Sequence, residues 1–262
     1  MKTILLVFAF VSLVSFVTGA AAAQNPTLQK DRQVLLDFRI DRKYSYPKIP
    51  AATTRNVLSK MFRRYLPDAS RCNAEIDTSK GTDPLAEARK AGQIVPSIID
   101  MTTGSFTAAN QTQTLYVISV SECNASHADN FGTKRVAIFS GQQLVADVDA
   151  DFASTIVRKT DLNSDGIDEL LMNTGDMSQG TVTEMATLVS FQGGRRRVIQ
   201  DFGVVVEDSC AAEASYSTSD ASVLYISDVV PGNMPKITQE NYTASCRGKV
   251  RRWKLVSRGK KQ

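Results

Sequence analysis

Apolar and polar positions follow two different periods along this chain, and the change falls near Ile94. Before it, Val57, Leu58, Met61, Phe62, Tyr65 and Leu66 share one side of a 3.6-residue repeat, with Arg55, Lys60, Arg63 and Arg64 on the other. The pattern predicts an amphipathic helix capped by Thr53 or Thr54 and ended by Pro67-Asp68, its apolar stripe packed on the main body. A second, shorter helix is predicted behind Asp83, with Pro84 at its first position, residues 85–90 as its body and Gly92 as its stop. Upstream, residues 28–40 read as either a charged helix or an extended arm, and Tyr46-Pro47-Lys48-Ile49-Pro50 imposes an extended connection.

Past Ile94 the alternation has period two, and clusters of Gly, Asn, Asp and Ser punctuate short β-rich runs. Strands are predicted over residues 115–120, 135–139, 144–148, 154–158, 169–172, 186–191, 197–202, 222–226 and 250–256. Ser140-Gly141-Gln142 and Gly193-Gly194 supply the turns of two hairpins. The predicted class is mainly β, with antiparallel blade-like sheets behind short N-terminal helices.

The first residues carry a different pattern. Met1-Lys2-Thr3 is a short positive start, residues 4–17 are an apolar run, and residues 18–23 supply small side chains for cleavage. Together they predict a signal peptide over residues 1–23 and a secreted or periplasmic product, without a cysteine at the cleavage region to take a lipid anchor. The run is shorter than the ~20 residues of a membrane span, and no later segment approaches that length. Residues 24–93 then form a helical, basic region and residues 94–262 a β-rich domain. Cys72, Cys123, Cys210 and Cys246 all lie in the exported part, where pairing is favoured. Three connectivities exist; Cys72 with Cys123 and Cys210 with Cys246 is preferred, because each pair brackets one stretch of predicted strands.

The 262 residues carry a formal net charge of +4, which conceals an asymmetry. Residues 24–66 are net +7, residues 67–246 net −12 and residues 247–262 net +8. The basic end places Lys254, Arg258, Lys260 and Lys261 as candidate contacts for an anionic polysaccharide or envelope surface, with Trp253 and Leu255 on one face of the last strand. The acidic centre offers the same charges a partner within the molecule. A single histidine, His127, excludes metal sites that need two, and with them most catalytic zinc chemistry. Ser126 and Asp129 flank it, but triad residues meet through the fold, and no G-x-S-x-G elbow occurs; a turn histidine is the reading taken. Asn110, Asn124 and Asn241 stand in N-x-S/T sequons, which matter in a eukaryotic source.

The sharpest chemical signal is Asp161-Leu162-Asn163-Ser164-Asp165-Gly166-Ile167-Asp168-Glu169. Oxygen donors at positions 1, 3 and 5, a glycine at 6 and a carboxylate at 9 suit a hard cation that takes six to eight oxygens, namely calcium. Asp161, Asn163 and Asp165 would bind through side chains, Ile167 through its carbonyl, and Glu169 directly or through water. Position 12 is Met172, where an EF-hand needs a bidentate Glu, and strands rather than helices flank the loop.

This segment, with Leu170 following, resembles the D-x-[DN]-x-D-G-x-x-[DE]-L loop of FG-GAP and VCBS-type repeats, as in the propellers of integrin α chains. The resemblance implies a calcium loop joining two strands of a blade. Fainter echoes are Gly104-Ser105-Phe106 before residues 115–118, and Asp228-Val229 leading through Pro231-Gly232 to Ile237. Phe106, Leu162 and Val229, spaced by 56 and 67 residues, would be equivalent, but the echoes lack the ligand carboxylates. Three units fall short of a closed propeller, so an incomplete or divergent propeller-like arrangement is expected. The function expected is an exported, non-catalytic calcium-binding domain of structural or surface-interaction type. The alternatives are a periplasmic or extracellular metal-dependent hydrolase using Asp161, Asp165 and Glu169, and a binder of anionic glycan or envelope polymer.

Overall fold

All strand pairing in the described residues is antiparallel, and most strands follow one another as a meander. The computed structural model describes residues 32–40, 47–72, 84–123, 133–151, 153–210, 217–247 and 251–259. All lie in one compact unit, Arg32–Gln262. The elements are β1 (Gln33–Asp37), α1 (Ala51–Met61), α2 (Pro84–Ala91), β2 (Ile94–Gly104), β3 (Gln113–Glu122), β4 (Thr133–Ser140), β5 (Gln143–Asp149) and β6 (Thr155–Thr160). They continue with β7 (Glu169–Ser178), β8 (Thr181–Ser190), β9 (Arg197–Asp208), β10 (Thr218–Ser227), β11 (Lys236–Ser245) and β12 (Lys254–Arg258).

The strands form quartets. One sheet runs β2-β3-β4-β5; the other runs β6 through β12, with β1 on the free edge of β10. Within the second sheet, β9 and β10 meet over three pairs only, from Asp208↔Ser219 to Val206↔Ala221. The rest of that edge of β10 takes β1, from Gln33↔Ile226 to Asp37↔Val223. Thus β6–β9 form a second blade-like quartet, β1 with β10–β12 form a third, and the eight-stranded sheet is strongly curled.

Side-chain alternation explains the stacking. Leu115 and Val117 of β3 and Val136 and Ile138 of β4 share a core with Leu170 and Met172 of β7. Their neighbours Tyr116, Ile118, Ala137 and Phe139 point the other way, to Val57 and Leu58 of α1 and Ala88 of α2. In β7 the intervening Leu171 joins Leu188 of β8, Phe202 of β9, Leu224 of β10 and Leu35 of β1. Helices, first quartet, second quartet and third quartet are therefore successive layers. Asp100, at a bulge in β2, links two of them by accepting from Ile156 N of β6 at 2.7 Å.

Several sequence expectations change. Residues 33–37 are a strand, and β2 and β11 are additional to the predicted set. α1 begins behind Pro50 with no side-chain cap, so neither Thr53 nor Thr54 plays that part. It stops at Met61 because Phe62 turns extended, at φ −122° and ψ 122°, and Leu66 N then donates to Ile94 O at 2.8 Å. The segment 62–66 thus lies beside β2. The last strand starts at Lys254 and all five of its residues are exposed, so Leu255 does not share the core face with Trp253. Asp83 lies outside the described residues; α2 otherwise begins at Pro84 and is followed by Gly92 at φ +72°.

Two disulfides, Cys72–Cys123 and Cys210–Cys246, have Cα–Cα distances of 5.4 and 5.2 Å. No helix among the described residues is long and apolar enough to cross a membrane. The cross-links close loops of 51 and 36 residues, each worth about 4 kcal/mol in the chain-entropy account. Cys72→Ala/Cys123→Ala and Cys210→Ala/Cys246→Ala should each lower the urea midpoint by the equivalent of about 2–4 kcal/mol. Chemical denaturation of the two double variants checks this, and a variant as stable as the parent would refute the stabilising role of that bridge.

Candidate calcium loop

Three connections, one from each quartet, are linked in series: residues 105–112 between β2 and β3, 161–168 between β6 and β7, and 228–235 between β10 and β11. The middle one touches both of the others. Asp168 N donates to Ser105 O at 2.7 Å and Ser105 N returns a bond to Asp168 Oδ2 at 2.9 Å. On the other side Gly232 N donates to Asn163 O at 2.6 Å. Gly104 makes the first junction possible, since a Cβ there would stand 2.3 Å from Asp168 Oδ2.

Inside the loop the acidic side chains hold the backbone turn. Asp161 accepts from Asp165 N at 3.1 Å and Gly166 N at 2.9 Å. Asn163 Oδ1 accepts from Asp165 N at 3.2 Å, and Asp165 Oδ1 accepts from Ile167 N at 2.8 Å. Gly166 sits at φ +82°, where a side chain would be strained, which is why position 6 is glycine. Glu169, only 2% exposed, turns beneath the loop and accepts from Leu162 N at 2.9 Å. A carboxylate oxygen that accepts one N–H keeps a further lone pair, so these bonds hold the turn without exhausting its acceptors.

The first connection repeats this construction without charge. Phe106 N donates to Gln113 Oε1 at 2.8 Å across seven residues, as Leu162 N does to Glu169, and Gln113 is equally buried. A shift of 56 residues sets Ser105 on Asp161, Thr107 on Asn163, Ala109 on Asp165, Asn110 on Gly166 and Gln113 on Glu169. Asn110 even adopts φ +59°. Phe106 and Leu162 are both buried, whereas Val229 of the third connection is 50% exposed. The Gln113–Glu169 correspondence escapes a motif scan because one is an amide and the other an acid. Both stand seven residues after a large apolar residue, Phe106 or Leu162, at the start of a strand.

Electrostatics distinguishes the two loops. Burial, with the charges of Asp165 and Asp161, pushes the Glu169 carboxyl up to about 7. Asp161, Asp165 and Glu169 do not lie as a set within 4.8 Å of one another. Among the described residues that criterion is met by Asp208 with Cys210 and Cys246, whose sulfurs are committed to a disulfide.

Other candidate residues are dispersed. Lys254 is exposed on β12, and Arg258 lies 3.2 Å from Glu240. Lys260, Lys261, His127 and the Asn124 sequon lie outside the described residues. Asn241 is buried, accepting from Ser222 Oγ and donating to Gly259 O at 2.7 Å each, so its sequon is closed to a glycan. Asn110 is exposed. No protein-family model, no curated protein and no solved structure matches this chain.

A carboxyl raised in the folded state stabilises fully below its unfolded value, near 4.5, and that stabilisation is lost as pH rises through about 7. In chelator, the parent should therefore lose stability over this window relative to Glu169→Gln, whose amide accepts from Leu162 N as Gln113 does from Phe106 N. Melting curves from pH 4.5 to 8 check this; parallel curves for parent and variant would contradict the raised carboxyl.

Proposed function

We propose that this chain is an exported, non-catalytic calcium-binding domain of structural or surface-interaction type, with one ion held by Asp161, Asn163, Asp165, the Ile167 carbonyl and Glu169. The observation that carries this is the pair of loops. The 105–113 connection makes the same brace with Ser, Thr, Ala and Gln at the corresponding positions, so the turn does not need acids to form. In the 161–169 connection Asp161, Asn163 and Asp165 stand at the corresponding positions, and Glu169 is raised by burial and by the charges of Asp165 and Asp161. A cation offsets that repulsion and burial cost together. An all-oxygen set with a backbone carbonyl suits calcium better than magnesium, which keeps its waters and tolerates little distortion.

The position of the loop explains what such an ion does. Through Ser105 and Gly232 the loop is bonded to the connections of both neighbouring quartets. Ordering it therefore ties three layers at one end, a structural role. Export is supported by the two disulfides and by the N-terminal signal pattern.

With about 1 mM calcium and a dissociation constant of about 10⁻⁴ M, linkage gives about 1.4 kcal/mol. For a domain of this size that is a melting shift of roughly 3–6 °C. Asp161→Ser/Asp165→Ala transplants the first loop's side chains into the second; it should fold and show no calcium shift. Thermal melts of parent and variant, with magnesium as control, check this. A parent with no shift, or a variant with the parent's shift, would overturn the assignment.

A further inference from the structure

A second concentration of charge lies on the far side of the first quartet. The end of α1, the end of α2 and strands β2, β4 and β5 enclose a cleft of about 480 Å³. Its charged lining is Arg63, Arg64, Arg89, Lys90 and Arg135, against one acid, Asp147. Phe62 and Ile94 contribute apolar wall.

Two of the cleft's cations are matched: Arg135 lies 2.6 Å from Asp147, and Lys90 lies 2.6 Å from Glu87. Among the described residues, Arg63, Arg64 and Arg89 make no ion pair, whereas Arg135 and Lys90 do. The Arg89 Nε and Nη2 atoms are shut off from solvent and make no hydrogen bond. Leaving charged donors buried and unmatched is costly, whereas an oxyanion accepts from guanidinium edges in a planar, charge-assisted geometry. Arg89 and Lys90 also complement the C-terminal dipole of α2, but Arg63 and Arg64 come from a different segment and have no such role.

That segment is fixed in place. Leu66 N is bonded to Ile94 O, and the stem of Arg64 passes so close to Gly92 that a Cβ there would be 3.0 Å from Arg64 Cβ. Opposite, Cys123 N donates to Gln93 O at 2.9 Å while its sulfur is bridged to Cys72. The guanidinium groups are thus brought to one cleft by pinned backbone rather than by a solvated tail.

We propose that this cleft is an oxyanion-binding site for a phosphate or sulfate group, carried by a soluble molecule or by a lipid headgroup. Three unmatched guanidinium groups suit a doubly charged tetrahedral anion, whose oxygens take several N–H donors at once. The site is separate from the calcium loop and does not depend on it.

The test is calorimetric titration of the purified full chain with inorganic phosphate and with sulfate, in chelator at constant ionic strength set with chloride. One saturable site is expected. Arg63→Gln/Arg64→Gln, at exposed positions, should leave melting in chloride unchanged and weaken phosphate binding by about tenfold or more. Arg89→Gln should weaken it similarly. Lys254→Gln/Arg258→Gln, at another basic patch, should leave it unchanged. Vesicles of phosphatidylcholine with and without phosphatidic acid distinguish the sources. Retention on the acidic vesicles that free phosphate displaces assigns a headgroup; phosphate binding without retention assigns a soluble ligand. Absence of saturable binding in the parent, parental affinity in Arg63→Gln/Arg64→Gln, or equal weakening by Lys254→Gln/Arg258→Gln would each overturn the proposal.

Discussion

A strand that is apolar on both faces has to be covered twice, and β3, β4 and β7 are such strands. Leu115, Val117 and Ile138 face one core while Tyr116, Ile118 and Phe139 face another. In β7, Leu170 and Met172 face the first quartet and Leu171 faces the third. Burial at about 25 cal/mol per Å² rewards only stacks that close both faces. From this follows the placement of everything chemical. Stacking the quartets brings one connection of each to the same region, where the 161–168 loop bonds both to the 105–112 and to the 228–235 loop. The helices must cover the remaining face of the first quartet, and their ends frame the basic cleft.

Within the loops, shape and charge are separable. Both the 105–113 and the 161–169 connections use a buried side chain at the start of the second strand to accept an N–H seven residues back. Gln113 does this at no electrostatic cost, while Glu169 does so beside Asp161 and Asp165 and is raised to about 7. The acid is an expensive choice for a purely structural brace. The two loops share the buried acceptor and the backbone turn, and differ in charge.

Legibility in the sequence tracks how each residue was buried. Strands with clean alternation, such as β3, β4 and β8, were readable, as were both hairpins and the cysteine pairing. β2 was obscured by Pro96, which is tolerated because β2 pairs on one edge only, with β3. β11 was obscured because three successive residues it buries are polar: Gln239 and Asn241 are satisfied by a network with Ser222 and Ser257, and Glu240 by Arg32, Arg258 and the Tyr242 hydroxyl. The reading of 28–40 left a charged helix and an extended arm open, and pairing to β10, a contact distant in sequence, makes residues 33–37 a strand. The loop motif was legible as a motif, but its uncharged twin was not, since the matching positions share backbone roles and not residue types.

Charge by segment misled for a related reason: totals do not say which cations are spent inside the fold. Part of the charge of the basic ends is committed to the acidic centre. Arg32 and Arg258 both reach Glu240, and Arg251 reaches Asp208. Arg39 pairs with Asp37 and stacks over the Tyr242 ring. Such pairs fix register between β1, β10, β11 and β12 more than they add stability, since exposed ion pairs contribute about 0–1 kcal/mol. Arg63 and Arg64, on the polar side of the predicted first helix, and Arg89, in the second, converge on one cleft. What sets them apart is geometry, because the break at Phe62 takes Arg63 and Arg64 off the helix and lays them over the end of α2. Had α1 continued to Leu66, as its periodicity predicted, these side chains would have pointed to solvent along a helix. Its early end turns a dispersed charge stripe into a converging one.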